Sequence, residues 1–171
     1  MVEHTILIFP EFENIAKINK IREQYDPLAK LIRPHITLVY PFMSDLSDGE
    51  LSLELSHCLS GCHKFQLKLN KISRCADQYG NYIFLNIKEG NKELELLHDR
   101  LYSGVLRKYK SGAVYRPHMT IGNLPSVDKM NEVYNQLADD RETYETKVSK
   151  VSVEEIGPGG LSIIIAEYEL S

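Results

Sequence analysis

The sequence has little cysteine and no tryptophan among its 171 residues. The three cysteines, Cys58, Cys62 and Cys75, are an odd number, which disfavours a disulfide framework. Cys58, Cys62 and His63 offer ligands to a metal, but no second cysteine or histidine pair completes the spacing of a zinc site. We therefore expect free thiols and no metal at these positions.

Long apolar runs and an excess of positive charge are also absent. No stretch approaches the roughly 20 apolar residues that a membrane-spanning helix needs. Residues 1–4 lack the basic region and apolar core of a signal peptide, so we expect a cytoplasmic protein that binds no membrane. The net charge of −4 disfavours a surface for long nucleic acid, so any nucleotide partner is expected to be small or an RNA terminus. No feature indicates an obligate protein partner.

Several motifs of metal and cofactor chemistry are missing. The chain has no P-loop glycine-lysine sequence, no His-Glu-x-x-His helix and no Gly-x-Ser-x-Gly elbow. It also has no carboxylate cluster of the kind that binds Mg²⁺. We therefore predict a site that uses neither a metal nor a cofactor.

One six-residue phrase, in contrast, occurs twice. Residues 33–38 read Arg-Pro-His-Ile-Thr-Leu, and residues 116–121 read Arg-Pro-His-Met-Thr-Ile. A single His-x-Thr is a weak signal, but a second copy with the same Arg-Pro lead and apolar frame is much less common by chance. The doubled phrase is therefore the strongest functional signal in the chain.

Strand alternation gives the two copies a common geometry. On a strand, His35 and Thr37 point to one face, and His118 and Thr120 do the same in the second copy. The apolar residues between them then point into a core. This pattern predicts one cleft lined by two histidines and two threonines, in preference to two unrelated strands with buried histidines.

These side chains suit the transfer of protons at a phosphate. Histidine titrates near neutral pH, so two histidines on either side of one phosphorus can act as acid and base. Threonine hydroxyls can donate hydrogen bonds to the non-bridging phosphate oxygens. We therefore predict that His35 and His118 are catalytic and that Thr37 and Thr120 bind phosphate.

Five residues around the motifs are further candidates for substrate contact. Arg33 and Arg116 can add positive potential, or they can simply face solvent. Tyr40, Phe42 and Tyr115 can stack on a base, although they fit equally well as aromatic residues at the edge of a core.

Four other histidines have no threonine two residues further on: His4, His57, His63 and His98. We interpret them as surface or helix-face residues. The candidate site therefore depends on the doubled phrase alone.

Hydrophobic periodicity predicts alternating strands and helices. The pattern at 49–59 fits either element, and a capping box formed by Ser47 and Glu50 favours a helix. Predicted helices cover 11–24, 49–59 and 92–108, and a fourth begins after Ser126. Predicted strands cover 4–9, 63–72, 83–87, 146–156 and 161–169, together with the two motif segments. This order is typical of an α+β or mixed α/β protein, and the repeat predicts two similar lobes in one domain, 1–171.

The segment Gly157-Pro158-Gly159-Gly160 joins the last two predicted strands. A glycine-rich turn can bring backbone N–H groups near an anion. A plain hairpin turn is favoured here, because glycine and proline dominate turns for steric reasons alone.

The doubled pattern, His35-Ile36-Thr37-Leu38 and His118-Met119-Thr120-Ile121, resembles the 2H phosphoesterase superfamily. The opening strand that ends at Ile8-Phe9-Pro10 and the run from Pro34 to Phe42 look like its small bacterial branch, the 2′-5′ RNA ligase-like proteins. The resemblance covers essentially the whole chain. It implies a bilobal α+β fold in which two pseudo-symmetric lobes with antiparallel sheets flank a central cleft.

The same resemblance implies phosphodiester chemistry, without metal, on a 2′,3′-cyclic or 2′-5′-linked nucleotide or RNA end. It further implies that His118 is the general base and His35 the general acid, an order that the nearly symmetric motifs cannot establish themselves. The alternative is a regulator that binds a nucleotide or RNA end without significant turnover. Two intact proton-transfer groups favour the enzyme.

Overall fold

The computed structural model describes all 171 residues. The strands are β1 (Val2–Ile8), β2 (Ile36–Ser44), β3 (Phe65–Ala76), β4 (Asn81–Glu89), β5 (His118–Leu124), β6 (Thr143–Val148), β7 (Lys150–Ile156) and β8 (Ser162–Glu169). The α-helices are α1 (Ile15–Tyr25), α2 (Asp48–Leu59), α3 (Asn91–Leu101) and α4 (Val127–Leu137). None of these helices is both long and apolar enough to cross a membrane.

The strands form two four-stranded antiparallel sheets. The first sheet has the order β2-β1-β7-β8, and the second has the order β5-β4-β3-β6. In each sheet the strand of one motif, β2 or β5, lies at an edge and pairs with the strand that precedes it in sequence. The predicted α+β fold with two similar antiparallel lobes is confirmed.

The two lobes exchange their helices. Helix α1 follows β1 of the first sheet but packs on β5 of the second, whereas α3 follows β4 of the second sheet but packs on β2 of the first. The chain itself also crosses, since β3 to β6 build the second sheet and β7 and β8 return to the first. One continuous cluster of buried apolar side chains includes residues of both sheets. This exchange holds the edge strands β2 and β5 in contact with each other.

The capping signals in the sequence are confirmed in the structure. Ser47 and Glu50 form the complete capping box at the start of α2. The Ser126 hydroxyl accepts a hydrogen bond from the Lys129 N–H at the start of α4. These local hydrogen bonds satisfy backbone N–H groups that a helix leaves free at its first turn.

The predicted helix at 92–108 is divided in the structure. Helix α3 ends at Leu101, and a separate 3₁₀ helix covers Val105–Tyr109. The buried carboxylate of Glu54 accepts a hydrogen bond from the Val105 N–H at 2.7 Å and so caps the second piece. A Cβ at Gly104 would lie 1.9 Å from that carboxylate oxygen, so only glycine permits this approach. The break therefore comes from a contact that is distant in sequence.

The predicted strand at 146–156 is also divided. Ser149 separates β6, which pairs with β3 in the second sheet, from β7, which pairs with β1 in the first. After β7 the glycine-rich segment forms a turn in which the Gly157 N–H donates to the Leu161 carbonyl at 2.9 Å. The Gly160 N–H likewise donates to the Gly157 carbonyl at 3.0 Å. The segment is thus a hairpin turn, as its composition favoured.

Candidate active site

Both motifs alternate between a core face and an open face. In the first, Ile36 and Leu38 are fully buried, while His35, which directly precedes β2, and Thr37 are half-buried. The helices α2 and α3 cover the first sheet, and α1 and α4 cover the second. The motif side chains therefore occupy the faces that the helices leave free.

The second motif has the same arrangement at the start of β5. Met119 and Ile121 are buried in the core, whereas His118 and Thr120 are half-buried. In the second sheet, Thr120 lies opposite Phe84, and His118 lies opposite Asn86. Because β2 and β5 contact each other, the polar pairs of both motifs lie on adjoining faces, which we call the motif cleft.

The two motif histidines are held by the same hydrogen bond. Nδ1 of His35 lies 2.8 Å from the carbonyl oxygen of Arg33, and Nδ1 of His118 lies 2.8 Å from that of Arg116. A carbonyl oxygen can only accept, so Nδ1 carries the proton in each ring. In the neutral form Nε2 is then free to accept a proton, and in the charged form Nε2–H can donate one. Both rings are therefore set up for proton transfer through the same atom.

Burial makes both rings poor at holding a second proton. The pKa of His35 is lowered to about 4, chiefly by burial, with smaller contributions in the same direction from Arg22 and His118. The opposing effects of the Arg33 carbonyl and the Asp26 carboxylate are smaller in total. That His118 affects the pKa of His35 places the two rings within electrostatic range of each other.

Burial also affects the pKa of His118. Its pKa is lowered, and the hydrogen bond to the Arg116 carbonyl opposes this effect. Both histidines are therefore neutral at neutral pH in the unliganded protein.

An aromatic ladder adjoins the second motif. The rings of His118 and Phe84 lie 3.9 Å apart between centroids, and those of Phe84 and Tyr82 are stacked at 5.7 Å. Asn86 continues this row on β4 and accepts a hydrogen bond from the Ser73 hydroxyl at 2.7 Å. Strand β4 was predicted from its core-facing residues Ile83, Leu85 and Ile87 alone. The same alternation could have indicated the ladder on its other face.

The first motif has a looser aromatic neighbour. The Phe9 ring lies 6.3 Å from His35, in an edge-on orientation. The Arg33 guanidinium lies over the same ring, 4.3 Å from its centroid. Both motif arginines, Arg33 and Arg116, are exposed, but only Arg33 lies over an aromatic ring.

Two of the aromatic candidates for base stacking have other roles. Phe42 is only 5% exposed, and its ring packs against Tyr109 at 4.7 Å, so it belongs to the core and not to the motif cleft. Tyr115 donates its hydroxyl to the Thr37 carbonyl at 2.8 Å, and one face of its ring is covered by another side chain. Tyr40 is 37% exposed and remains accessible.

The interpretation of His4 as a surface or helix-face residue is wrong, because it lies in β1 and is only 2% exposed. His98 does lie on a helix, α3, but on its buried face, where it is 5% exposed. Nδ1 of His4 bonds the Ser44 hydroxyl at 3.1 Å, and Nδ1 of His98 bonds the Leu38 carbonyl at 2.7 Å. Each buried histidine therefore forms a hydrogen bond with a polar group of β2. His57 and His63 are exposed, as expected.

No group of three or more histidine, cysteine, aspartate or glutamate side chains is arranged to hold a metal ion. Cys58 and Cys62 are buried, and the Cys58 thiol donates to the Glu54 carboxylate at 3.4 Å. Burial and that carboxylate raise the pKa of Cys58 to about 11, so the thiol stays protonated.

Two antiparallel lobes that each carry a His-x-Thr segment, together with the sequence relatives, place the chain in the class of 2H phosphoesterases. The chain belongs to the 2′-5′ RNA ligase superfamily, whose sequence profile matches residues 10–159. The resemblance seen in the motifs is thereby confirmed, and the protein is an enzyme of the phosphoesterase type.

Individual relatives agree with this membership. A protein of Geobacillus sp. strain WCH70, named "Putative phosphoesterase", is 35% identical over 151 residues, or 87% of this chain and 85% of the relative. The crystal structure of TT0787 of Thermus thermophilus has a TM-score of 0.64 at 17% identity and covers 98% of this chain and 97% of that one. E. coli LigT complexed with 3′-AMP has a TM-score of 0.61 at 16% identity, with coverage of 99% and 98%. These structural likenesses concern the fold.

Proposed function

We propose that the protein hydrolyses a phosphodiester of a small nucleotide or an RNA end, of the 2′,3′-cyclic or 2′-5′-linked kind, with His35 and His118 as its acid and base. The observation that carries this proposal is the matching 2.8 Å hydrogen bond at Nδ1 of each ring. It leaves the two Nε2 atoms as the reactive atoms of a pair. A single buried histidine with a structural role would not need a partner of the same geometry.

The reaction balances with these two groups. The Nε2 of one ring takes a proton from water as the water oxygen bonds to phosphorus. The other ring, charged, gives its Nε2 proton to the ribose oxygen as the P–O bond breaks, and a phosphomonoester results. Thr37 and Thr120 donate to the non-bridging oxygens, where charge accumulates in the transition state. The family order makes His118 the base and His35 the acid.

The aromatic ladder supports a nucleotide as the substrate. Phe84 and Tyr82 lie on the open face of β4, beside the second motif, and a base can stack on such rings. Arg33, which lies over the Phe9 ring, supplies positive charge for the phosphate. E. coli LigT, which has a similar fold, was crystallised in complex with 3′-AMP, and this supports a small nucleotide as the substrate.

A second candidate function, nucleotide binding without significant turnover, is favoured by one observation. The pKa of His35 is about 4, so an imidazolium at this position is costly in the unliganded protein. A bound anionic phosphate opposes that cost. Turnover therefore distinguishes the two candidates directly.

The test is a turnover assay on 2′,3′-cyclic nucleotides, RNA with a cyclic phosphate end and 2′-5′-linked dinucleotides. His35→Ala and His118→Ala should each lower kcat by ~10²-fold or more, since each removes a proton-transfer group. Thr37→Ala and Thr120→Ala should each cost ~10–10³-fold through lost transition-state hydrogen bonds. His57→Ala, on an exposed helix surface, is the control and should match the wild type. Tight nucleotide binding with no hydrolysis of any substrate would support the regulator instead.

A further inference from the structure

The two motifs are joined directly by one side chain. The hydroxyl of Tyr115, three residues before His118, donates to the main-chain carbonyl of Thr37 at 2.8 Å. Strands β2 and β5 belong to different sheets, so no main-chain ladder joins the two motifs. The Tyr115 hydroxyl makes the one hydrogen bond between the segments 33–38 and 115–121.

His98 holds the ring of Tyr115 in place. The two rings are stacked, with centroids 3.9 Å apart and planes 7° from parallel. Nδ1 of His98 donates to the Leu38 carbonyl at 2.7 Å, so this ring is fixed to the residue that follows Thr37. Tyr102 also packs edge-on against His98, with centroids 4.9 Å apart. The Tyr115 hydroxyl therefore has little freedom to leave the Thr37 carbonyl.

The contacts satisfy an otherwise exposed strand edge. As an edge strand, β2 has main-chain groups that no neighbouring strand pairs. Tyr115 and His98 bond two successive carbonyls of that strand, those of Thr37 and Leu38. Both carbonyls belong to the first motif, yet the side chains come from the half of the chain that carries the second.

We propose that Tyr115, backed by His98, is a positioning residue that sets the separation between the Thr37 side of the motif cleft and His118. Only Arg116 and Pro117 lie between Tyr115 and His118, and proline restricts the backbone there. A displacement at the Thr37 carbonyl is therefore transmitted to both motifs at once. This inference rests on the proposed function, because it concerns the geometry of the same site.

The principal test is Tyr115→Phe, which keeps the stacked ring and removes only the hydroxyl. We expect kcat to fall ~10-fold or more while KM changes less than ~3-fold, since misplaced catalytic groups affect the transition state more than binding. Tyr144→Phe is the matched control. It also removes a tyrosine hydroxyl from a ring that is only 3% exposed, but it lies in β6, at the opposite edge of the second sheet from β5, and should leave kcat unchanged.

The coupling can be measured in a double-mutant cycle. If Tyr115 acts by placing His118, Tyr115→Phe should have little further effect on kcat in a His118→Ala background. His98→Gln, whose amide can still donate to the Leu38 carbonyl, should retain more activity than His98→Leu. This pair keeps the inference testable if the Tyr115 variant is poorly folded.

A readout that needs no turnover separates this inference from the proposed function. NMR titration of the His35 and His118 rings, with and without inorganic phosphate, should differ between Tyr115→Phe and the wild type but not between Tyr144→Phe and the wild type. Unchanged ring titrations and unchanged phosphate affinity in Tyr115→Phe would overturn the positioning role, even if the protein hydrolyses no substrate tried. A changed titration in a protein without turnover would uphold the positioning role and reject the proposed reaction.

Discussion

The ring of His118 lies 3.9 Å from the ring of Phe84, centroid to centroid, with 32° between their planes. No comparable contact exists at His35, whose aromatic neighbour Phe9 is 6.3 Å away. The two motifs are therefore alike in their hydrogen bonds but different in their surroundings. The proposed nucleotide substrate therefore has a larger aromatic surface for its base on the His118 side of the motif cleft, where the ladder continues to Tyr82.

Phe84→Leu tests this asymmetry. Base stacking on an aromatic ring contributes ~1–3 kcal/mol, so KM for a 2′,3′-cyclic nucleotide should rise by ~5–150-fold. The kcat/KM for a ribose cyclic phosphate without a base should change little. Tyr79→Leu, which removes a 77% exposed aromatic ring at the β3–β4 turn, is the control. Equal losses on both substrates would show that Phe84 acts through His118 and not on the base.

Activity should survive chelation of divalent metals. In the proposed reaction the two rings move the protons and the threonine hydroxyls stabilise the phosphate charge, so every step has a group from this chain. Initial rates measured with EDTA should therefore equal those without it. Loss of activity in EDTA, restored by a divalent ion, would replace the two-histidine mechanism with a metal-assisted one.

The doubled phrase was sufficient to predict the family, and it selected four side chains that are half-buried on sheet faces that the helices do not cover. The aromatic residues that line the motif cleft were harder to predict, because a residue next to a motif in sequence need not face the cleft. Phe42 follows the first motif but enters the core, whereas Phe84 is distant in sequence and adjoins His118. Their difference depends on strand pairing between β4 and β5, which one sequence does not specify.

Long-range contacts also explain the errors in the fold prediction. The apolar pattern at 92–108 is continuous, and the helix is broken by the Glu54 carboxylate bonding the Val105 N–H from a distant helix. Likewise, the strand at 146–156 alternates without interruption, although its halves belong to different sheets. Local periodicity predicted where elements occur, and partners distant in sequence decided where they divide.

The free energy of unfolding should fall as the pH falls below about 6.5. Four histidines, His4, His35, His98 and His118, have pKa values lowered mainly by burial. Between the unfolded value of about 6.5 and the lower folded values, the unfolded chain binds more protons, and acid therefore favours unfolding. For His35 this window extends down to about pH 4. Glu154, whose pKa is raised by burial, acts in the opposite direction but is a single group.

Urea unfolding at pH 7, 6 and 5 measures this dependence. His35→Gln should have a shallower loss of stability than the wild type, because one buried histidine no longer contributes. His57→Gln, which changes an exposed histidine, should leave the slope unaltered. A free energy of unfolding that is constant or rises on acidification over this range would contradict the expectation.

The order of acid and base imposes a requirement on the substrate. If His35 is the acid, it must carry a second proton before the leaving oxygen departs, yet its pKa is about 4 without a ligand. Only a nearby negative charge, such as the bound phosphodiester, can raise it enough. We therefore expect inorganic phosphate or 3′-AMP to raise the pKa of His35 into the neutral range in an NMR titration.

A nucleotide ester with a p-nitrophenolate leaving group, which needs no protonation, should restore turnover to His35→Ala but not to His118→Ala. If phosphate leaves His35 neutral and the activated ester rescues His118→Ala instead, His35 is the base and the order is reversed.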